Sequence, residues 1–354
     1  MIWITLRQLI LYNVGKMTRL LTVILILSLL MFCSQSFTGR KRPQSNNLES
    51  PTNSGLTISN DHGDKQAGAS QRVRSQQDVF PYDLQNPEKK YKLPDYLTEI
   101  SGMAFYKKDD ITCVQDEKAN IYVFDLGKEE VEAKYDFGKD ADFEDIAIDN
   151  KIVYVLRNDG QIFRVEDFRK KDRKVTKLDT PLSEKNDTEG LAFDQLSNSL
   201  LIACKGSPTI EKENSYAGYR AIYRYDIKEK KLDKEPAFLI DLESLDSYKD
   251  YDLFTKFSLK VAKKLRMVES ETSFKPSGIA IHPVYGEIYL ISNIGKLLIV
   301  LNRHGKIMDV QDLDIKIFRQ PEGICFSPGG DMYISNEGQG GKGYILKFKF
   351  NPNE

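Results

Sequence analysis

From residue 95 to residue 348 the apolar positions fall into short runs of four to eight residues, broken by turns rich in Gly, Asn, Asp and Lys. Runs at 111–114, 121–124 and 131–135, and again at 153–156, 161–165 and 174–178, are dominated by Ile, Val, Tyr and Phe. β-Branched and aromatic residues at this length and spacing predict strands. Similar runs follow at 200–204, 221–225 and 237–242, at 288–292, 297–301 and 306–313, and at 332–335 and 344–348.

Each series is headed by one recurring phrase: Ser101-Gly-Met-Ala-Phe, Glu144-Asp-Ile-Ala-Ile, Glu189-Gly-Leu-Ala-Phe, Ser277-Gly-Ile-Ala-Ile and Glu322-Gly-Ile-Cys-Phe. The copies begin 43, 45, 88 and 45 residues apart. A period of ~40 to 50 residues built of short strands signals propeller blades. The predicted fold is therefore all-β, a β-propeller of four-stranded blades in which strand a carries the phrase and strands b, c and d follow. Too few residues remain after Glu322 for a d strand, and an unpaired edge is a liability. Residues 82–93 are expected to supply that outer strand and close the ring.

The 88-residue gap leaves two readings open. It could hold a sixth blade, or Leu253, Phe254, Phe257, Val261 and Leu265, at helical spacing, could form an excursion near 245–268. Five motif-bearing blades plus a helix is the preferred reading.

Upstream the pattern changes. Lys16 and Arg19 precede an apolar run, 20–32, of signal-peptide length, and Met17 would make a compact start. Cys33 ends that run and resembles the lipidated cysteine of bacterial lipoproteins, with Phe32 where a small residue is usual. Residues 1–33 are expected to be a signal peptide with a lipoprotein or membrane anchor, placing the chain in a bacterial cell envelope. Residues 34–80, rich in Ser, Gln, Asn and Gly, read as a disordered polar tether. Residues 81–354 are the propeller.

Charge narrows the partners. Lys plus Arg at 51 nearly cancel Asp plus Glu at 52, with no basic arm, so no nucleic-acid partner is expected. Cys113, Cys204 and Cys325 sit within apolar runs, and three thiols cannot all pair, so buried free cysteines are predicted.

The phrases in context, Ile100-Ser-Gly-Met-Ala, Phe143-Glu-Asp-Ile-Ala, Thr188-Glu-Gly-Leu-Ala, Pro276-Ser-Gly-Ile-Ala and Pro321-Glu-Gly-Ile, resemble the SdiA-regulated (YjiK-like) family over about residues 95–348. That resemblance implies an extracytoplasmic propeller related to NHL-repeat and lactonase-type propellers. It implies no reaction.

In a propeller the start of strand a and the b–c loop open on one face of the central channel. Ser101, Glu144, Glu189, Ser277 and Glu322 should therefore meet the ends of the b strands there, Asp116-Glu117, Arg157-Asn158, Lys205, Ser292-Asn293 and Asn336-Glu337. Glu144, Glu189, Glu322 and Glu337 are the candidate metal ligands, for a hard cation such as Ca²⁺, which takes ~6 to 8 oxygens. Glu117, Arg157, Asn158, Lys205, Asn293 and Asn336 are candidates for ligand binding. The opposing reading is that Lys205 and Arg157 simply neutralise the acids. No catalytic residue is assigned, because His62, His282 and His304 all fall away from the expected mouth. The functions these residues suit are a binding module for a small molecule, glycan or envelope protein, with membrane attachment through the N-terminus, or a calcium-dependent hydrolase of lactonase or phosphotriesterase type.

Overall fold

A computed structural model describes residues 79–210, 216–245 and 274–352. A short strand β1 (Lys89–Lys92) precedes the first phrase. Blade 1 is β2 (Ile100–Lys107), β3 (Asp110–Gln115), β4 (Lys118–Asp125) and β5 (Glu130–Asp136), and blade 2 is β6 (Phe143–Asp149), β7 (Ile152–Arg157), β8 (Ile162–Glu166) and β9 (Lys174–Leu178). Blade 3 is β10 (Thr188–Asp194), β11 (Ser199–Cys204) and β12 (Tyr219–Asp226), whose outer position is shared by β13 (Lys231–Leu232) and β14 (Phe238–Asp241). Blade 4 is β15 (Gly278–Ile281), β16 (Ile288–Ser292), β17 (Leu297–Leu301) and β18 (Ile307–Asp312). Blade 5 is β19 (Pro321–Phe326), β20 (Met332–Asn336) and β21 (Tyr344–Phe348), with β1 as its outer strand.

Five is the number at which the ring closes. The inner strands touch in the order β2, β6, β10, β15, β19 and back to β2. Because β10 lies directly against β15, no blade intervenes across the long gap. The helical excursion expected near 245–268 lies outside the described residues beyond the single turn α1 (Leu242–Leu245), as do the anchor and most of the tether. Among the described residues no helix is long and apolar enough to cross a membrane.

Neighbouring blades pack face to face, so strands b and c are covered on both sides. This is why β11, β16 and β17 are buried along their whole length while outer strand β5 alternates between exposed and half-buried positions. Each interface holds its own apolar cluster; between blades 1 and 2 the rings of Phe137, Phe143 and Phe163 meet edge to face at 4.9 to 5.6 Å. Such side chains each contribute ~1.5 to 3 kcal/mol on burial. Cys113, Cys204 and Cys325 are buried and unpaired, as expected.

The N-terminal strand closes the ring as the sequence predicts, pairing Lys89 with Lys347, Tyr91 with Ile345 and Lys92 with Tyr344. Just upstream, the Tyr82 hydroxyl donates to the Gly330 carbonyl at 2.6 Å and lies 2.8 Å from His282 Nε2. His282 Nδ1 accepts the backbone N–H groups of Val284 and Tyr285, both at 3.1 Å, so Nε2 carries the proton and donates to Tyr82. The histidine is wholly buried, away from the polar mouth.

A chain beginning at residue 94 loses this strand and exposes the edge of β21. It is expected to melt several degrees below one beginning at residue 79 and to self-associate in light scattering. Tyr82→Phe in the longer chain should cost about 1 kcal/mol in chemical denaturation.

Candidate functional site

The phrase heads reach the axis through irregularities in the inner strands. The β2–β3 ladder passes from Ile100 to Met103, β6–β7 from Phe143 to Asp145, β10–β11 from Thr188 to Gly190, and β19–β20 from Pro321 to Ile324. The residues left out of register include Ser101, Glu144, Glu189 and Glu322. A bulge frees a residue from the ladder and re-aims its side chain, and here all four turn toward one cavity of about 260 Å³. Ser277, at the head of blade 4, joins them.

Asp116, Lys205, Asn293 and Glu337, four of the residues expected from the b-strand ends, also line this cavity. The others do not. Arg157 turns aside to grip Asp159, with Nε 2.9 Å and Nη2 2.5 Å from its carboxylate, because a partner two residues on in the same hairpin is nearer than the axis. Asn158 donates to Asp142 at 3.0 Å from outside the cavity. Glu117 is exposed while its neighbour Asp116, in the same β3–β4 turn, faces in; Asn336, the last residue of β20, is buried beside the inward Glu337, as the alternation of an extended chain requires. Asp142 and Gln320 were not foreseen. Each stands two residues before a phrase head, the spacing that puts side chains on one face of an extended segment, and that was the available signal.

The cavity concentrates carboxyl groups. Lys205 Nζ lies 2.5 Å from Glu189, which is only 7% exposed and also bonds the Glu144 side chain. Burial, then the charge of Glu189, pushes Glu144 up to about 9. Burial, Glu189 and Glu337 push Glu322 up to about 8. Glu337 rises to about 7 through burial and the nearby Asp116 and Glu99, and Asp116 to about 6 through burial, Glu99 and Glu117. Burial raises Glu189 against the pull of Lys205. For Lys205 burial acts downward, but Glu189, Asp187 and Glu322 outweigh it and hold the ammonium above its ordinary range.

Further polar groups fix the acids in place. Lys296 Nζ donates to Asn293 Oδ1 at 2.7 Å, and Asn293 Nδ2 donates to Glu322 at 3.0 Å. Gln320 donates to Glu337. The arrangement can hold positive charge, and Glu144 beside Glu189 can hold and pass a proton.

Among the described residues, a group of carboxylates close enough together to hold a metal lies elsewhere. Oxygens of Asp110, Asp125 and Glu132 fall within 4.8 Å of one another on the flank of blade 1, a group that could hold an ion. Arg169 already bridges Asp110 and Glu132 at 3.4 and 3.1 Å. The axial glutamates are not part of that group.

No protein-family model and no curated protein matches the sequence. Solved structures resemble the chain trace. A glutaminyl cyclase of Myxococcus xanthus is 11% identical, with 76% of this chain and 97% of that one covered and a TM-score of 0.48. A luciferin-regenerating enzyme is 12% identical over 73% of this chain and 92% of its own, with a TM-score of 0.44. The PQQ-bound aldose sugar dehydrogenase of Streptomyces coelicolor is 13% identical over 75% and 97%, with a TM-score of 0.42. These likenesses concern fold alone and carry no site residue across.

A carboxyl raised by its surroundings makes the fold prefer the acid form. Its penalty is absent below the ordinary Glu value of ~4.3 and grows as pH climbs toward the raised value. Glu144→Gln and Glu322→Gln are therefore expected to flatten the fall in melting temperature between pH 5 and pH 9. Parallel curves for wild type and both variants would show that these groups titrate normally.

Proposed function

We propose that the chain is an exported, envelope-attached propeller of the SdiA-regulated (YjiK-like) family that works as a binding module, its axial cavity taking a small ligand that carries positive charge. One observation supports this reading above others: Asp116, Asp142, Glu144, Glu189, Glu322 and Glu337 line the cavity, and Lys205 is the one cationic side chain among its lining residues. Crowded acids that hold their protons against the solvent are destabilising for a scaffold. Perturbed carboxyls in a cleft are what a site for a cation needs. A bound cation would let them ionise, so uptake releases protons and tightens as pH rises.

An organic ammonium suits the geometry better than Ca²⁺. Calcium takes ~6 to 8 oxygens at close range, whereas here the Lys205 ammonium already sits on Glu189 and Glu189 also bonds Glu144. Ca²⁺ remains the alternative occupant. The Glu144–Glu189 pair also favours a second reading, acid–base hydrolysis in the same cavity, since a proton-bearing acid stands beside one paired with an ammonium.

Melting of chelator-treated protein with butylamine, 1,4-diaminobutane or CaCl₂ tests these readings. The amines should raise the melting temperature at low millimolar concentration, more at pH 8 than at pH 6, and Glu189→Gln/Glu322→Gln should abolish the shift. A shift with Ca²⁺ alone favours the metal, and no shift with any of the three overturns the cation reading. Turnover of a lactone, ester or phosphotriester lost in Glu144→Gln would establish hydrolysis.

A further inference from the structure

Immediately below the phrase heads the axis narrows. The second residue of the phrase is Gly102, Asp145, Gly190, Gly278 and Gly323 in the five blades. Glycine at four of these is a matter of distance between chains. A Cβ on Gly323 would lie 2.7 Å from the Ser101 carbonyl oxygen and 3.0 Å from Gly102 Cα; one on Gly278 would lie 2.5 Å from the Glu322 carbonyl oxygen; one on Gly190 would meet Ile279 at 2.8 Å. The fifth position breaks the rule, and a Cβ on Gly102 would lie 1.9 Å from Asp145 Oδ1. The space that a side chain at residue 102 would take is filled by the Asp145 carboxylate.

That carboxylate is 1% exposed. Oδ1 accepts the N–H of Ile146 at 2.8 Å and Oδ2 that of Leu191 at 2.7 Å, while the Ile279 N–H also bonds the group. The donors belong to the inner strands of blades 2, 3 and 4. Burial holds the group well above the ordinary carboxylate range against the pull of the N–H donors; geometrically, each oxygen accepts from the backbone, as the two oxygens of a carboxylate do. An amide would set a donor against one of the N–H groups. Above lies the acidic cavity; below, Met103, Ile146, Leu191, Ile279 and Ile324 begin an apolar chamber of about 120 Å³.

From this geometry we infer that the propeller axis contains an anion site built from backbone N–H groups of three blades, sized for a single carboxylate, and that Asp145 is its internal occupant. Asp145 is thus a positioning residue. It pins three inner strands at the level where Glu144, Glu189 and Ser277 are set, and it closes the polar cavity off from the apolar chamber. The inference is independent of what the cavity binds.

Two variants test it. Asp145→Asn keeps the shape but turns an amide N–H toward a backbone donor, and should lower the melting temperature by about 5 °C or more. Asp145→Gly completes a ring of five glycines and leaves the site vacant, so free carboxylate should enter it. Sodium formate is expected to raise its melting temperature, or its refolding yield if it folds poorly, more than equimolar chloride does, with no such preference in wild type. An Asp145→Asn protein as stable as wild type would overturn the inference outright. So would formate no better than chloride, in either melting or refolding of Asp145→Gly, because a merely space-filling residue does not discriminate between anions.

Discussion

The structure depends on how closely five strands approach one axis. At Gly278 and Gly323 the neighbouring backbone stands nearer than a Cβ allows, at Gly102 the side chain and backbone of Asp145 do, and at Gly190 the Ile279 side chain does, so these positions are held by a steric requirement between blades rather than by local turn geometry. Everything directly above must converge. Glu144, Glu189 and Glu322 meet because each stands one residue from this constriction, on a bulge that releases it from its ladder. The candidate site is in that sense a consequence of ring packing.

Convergence has an electrostatic cost that the protein only partly offsets. Lys205 neutralises Glu189, and Asn293 and Gln320 orient Glu322 and Glu337, yet Glu144 and Glu322 still hold protons far above the usual carboxylate range. Interblade clusters such as that around Phe143 and Phe163 supply the apolar burial that tolerates such a site. Where local chemistry opposes stability while the surrounding framework is consistent, function is the usual reason. On the flank of blade 1, by contrast, Arg169 spans Asp110 and Glu132.

Ring closure is a separate device at the other end of the channel. Blade 5 borrows β1, and the hydrogen-bond relay from His282 through Tyr82 to Gly330 ties the incoming chain to blades 4 and 5. Tyr82 also packs against Tyr289, Phe326 and Phe350 at 5.9 to 6.3 Å between ring centres. The two ends of the propeller segment thus stabilise each other, and the edge of β21 is covered at the seam.

The blade pattern was legible in the chain because it is local: strand length, alternation and a phrase recurring every 43 to 45 residues are properties of neighbours in sequence. The five phrase heads, the shortage of a last outer strand and its donor at 82–93 follow from the same repeat. Other features depend on residues far apart. Whether the long gap held a blade was decided by β10 lying against β15. Lys205, Asn293 and Glu337 face the axis while Arg157, Glu117 and Asn336 do not, since competing partners and the turn of each hairpin settle the direction of a side chain. Asp145 stood in plain view as the one departure from glycine, yet its role rests on N–H groups contributed by three blades. A period can be read along one chain, whereas a cavity and the charges it gathers exist only where separate segments enclose the same volume.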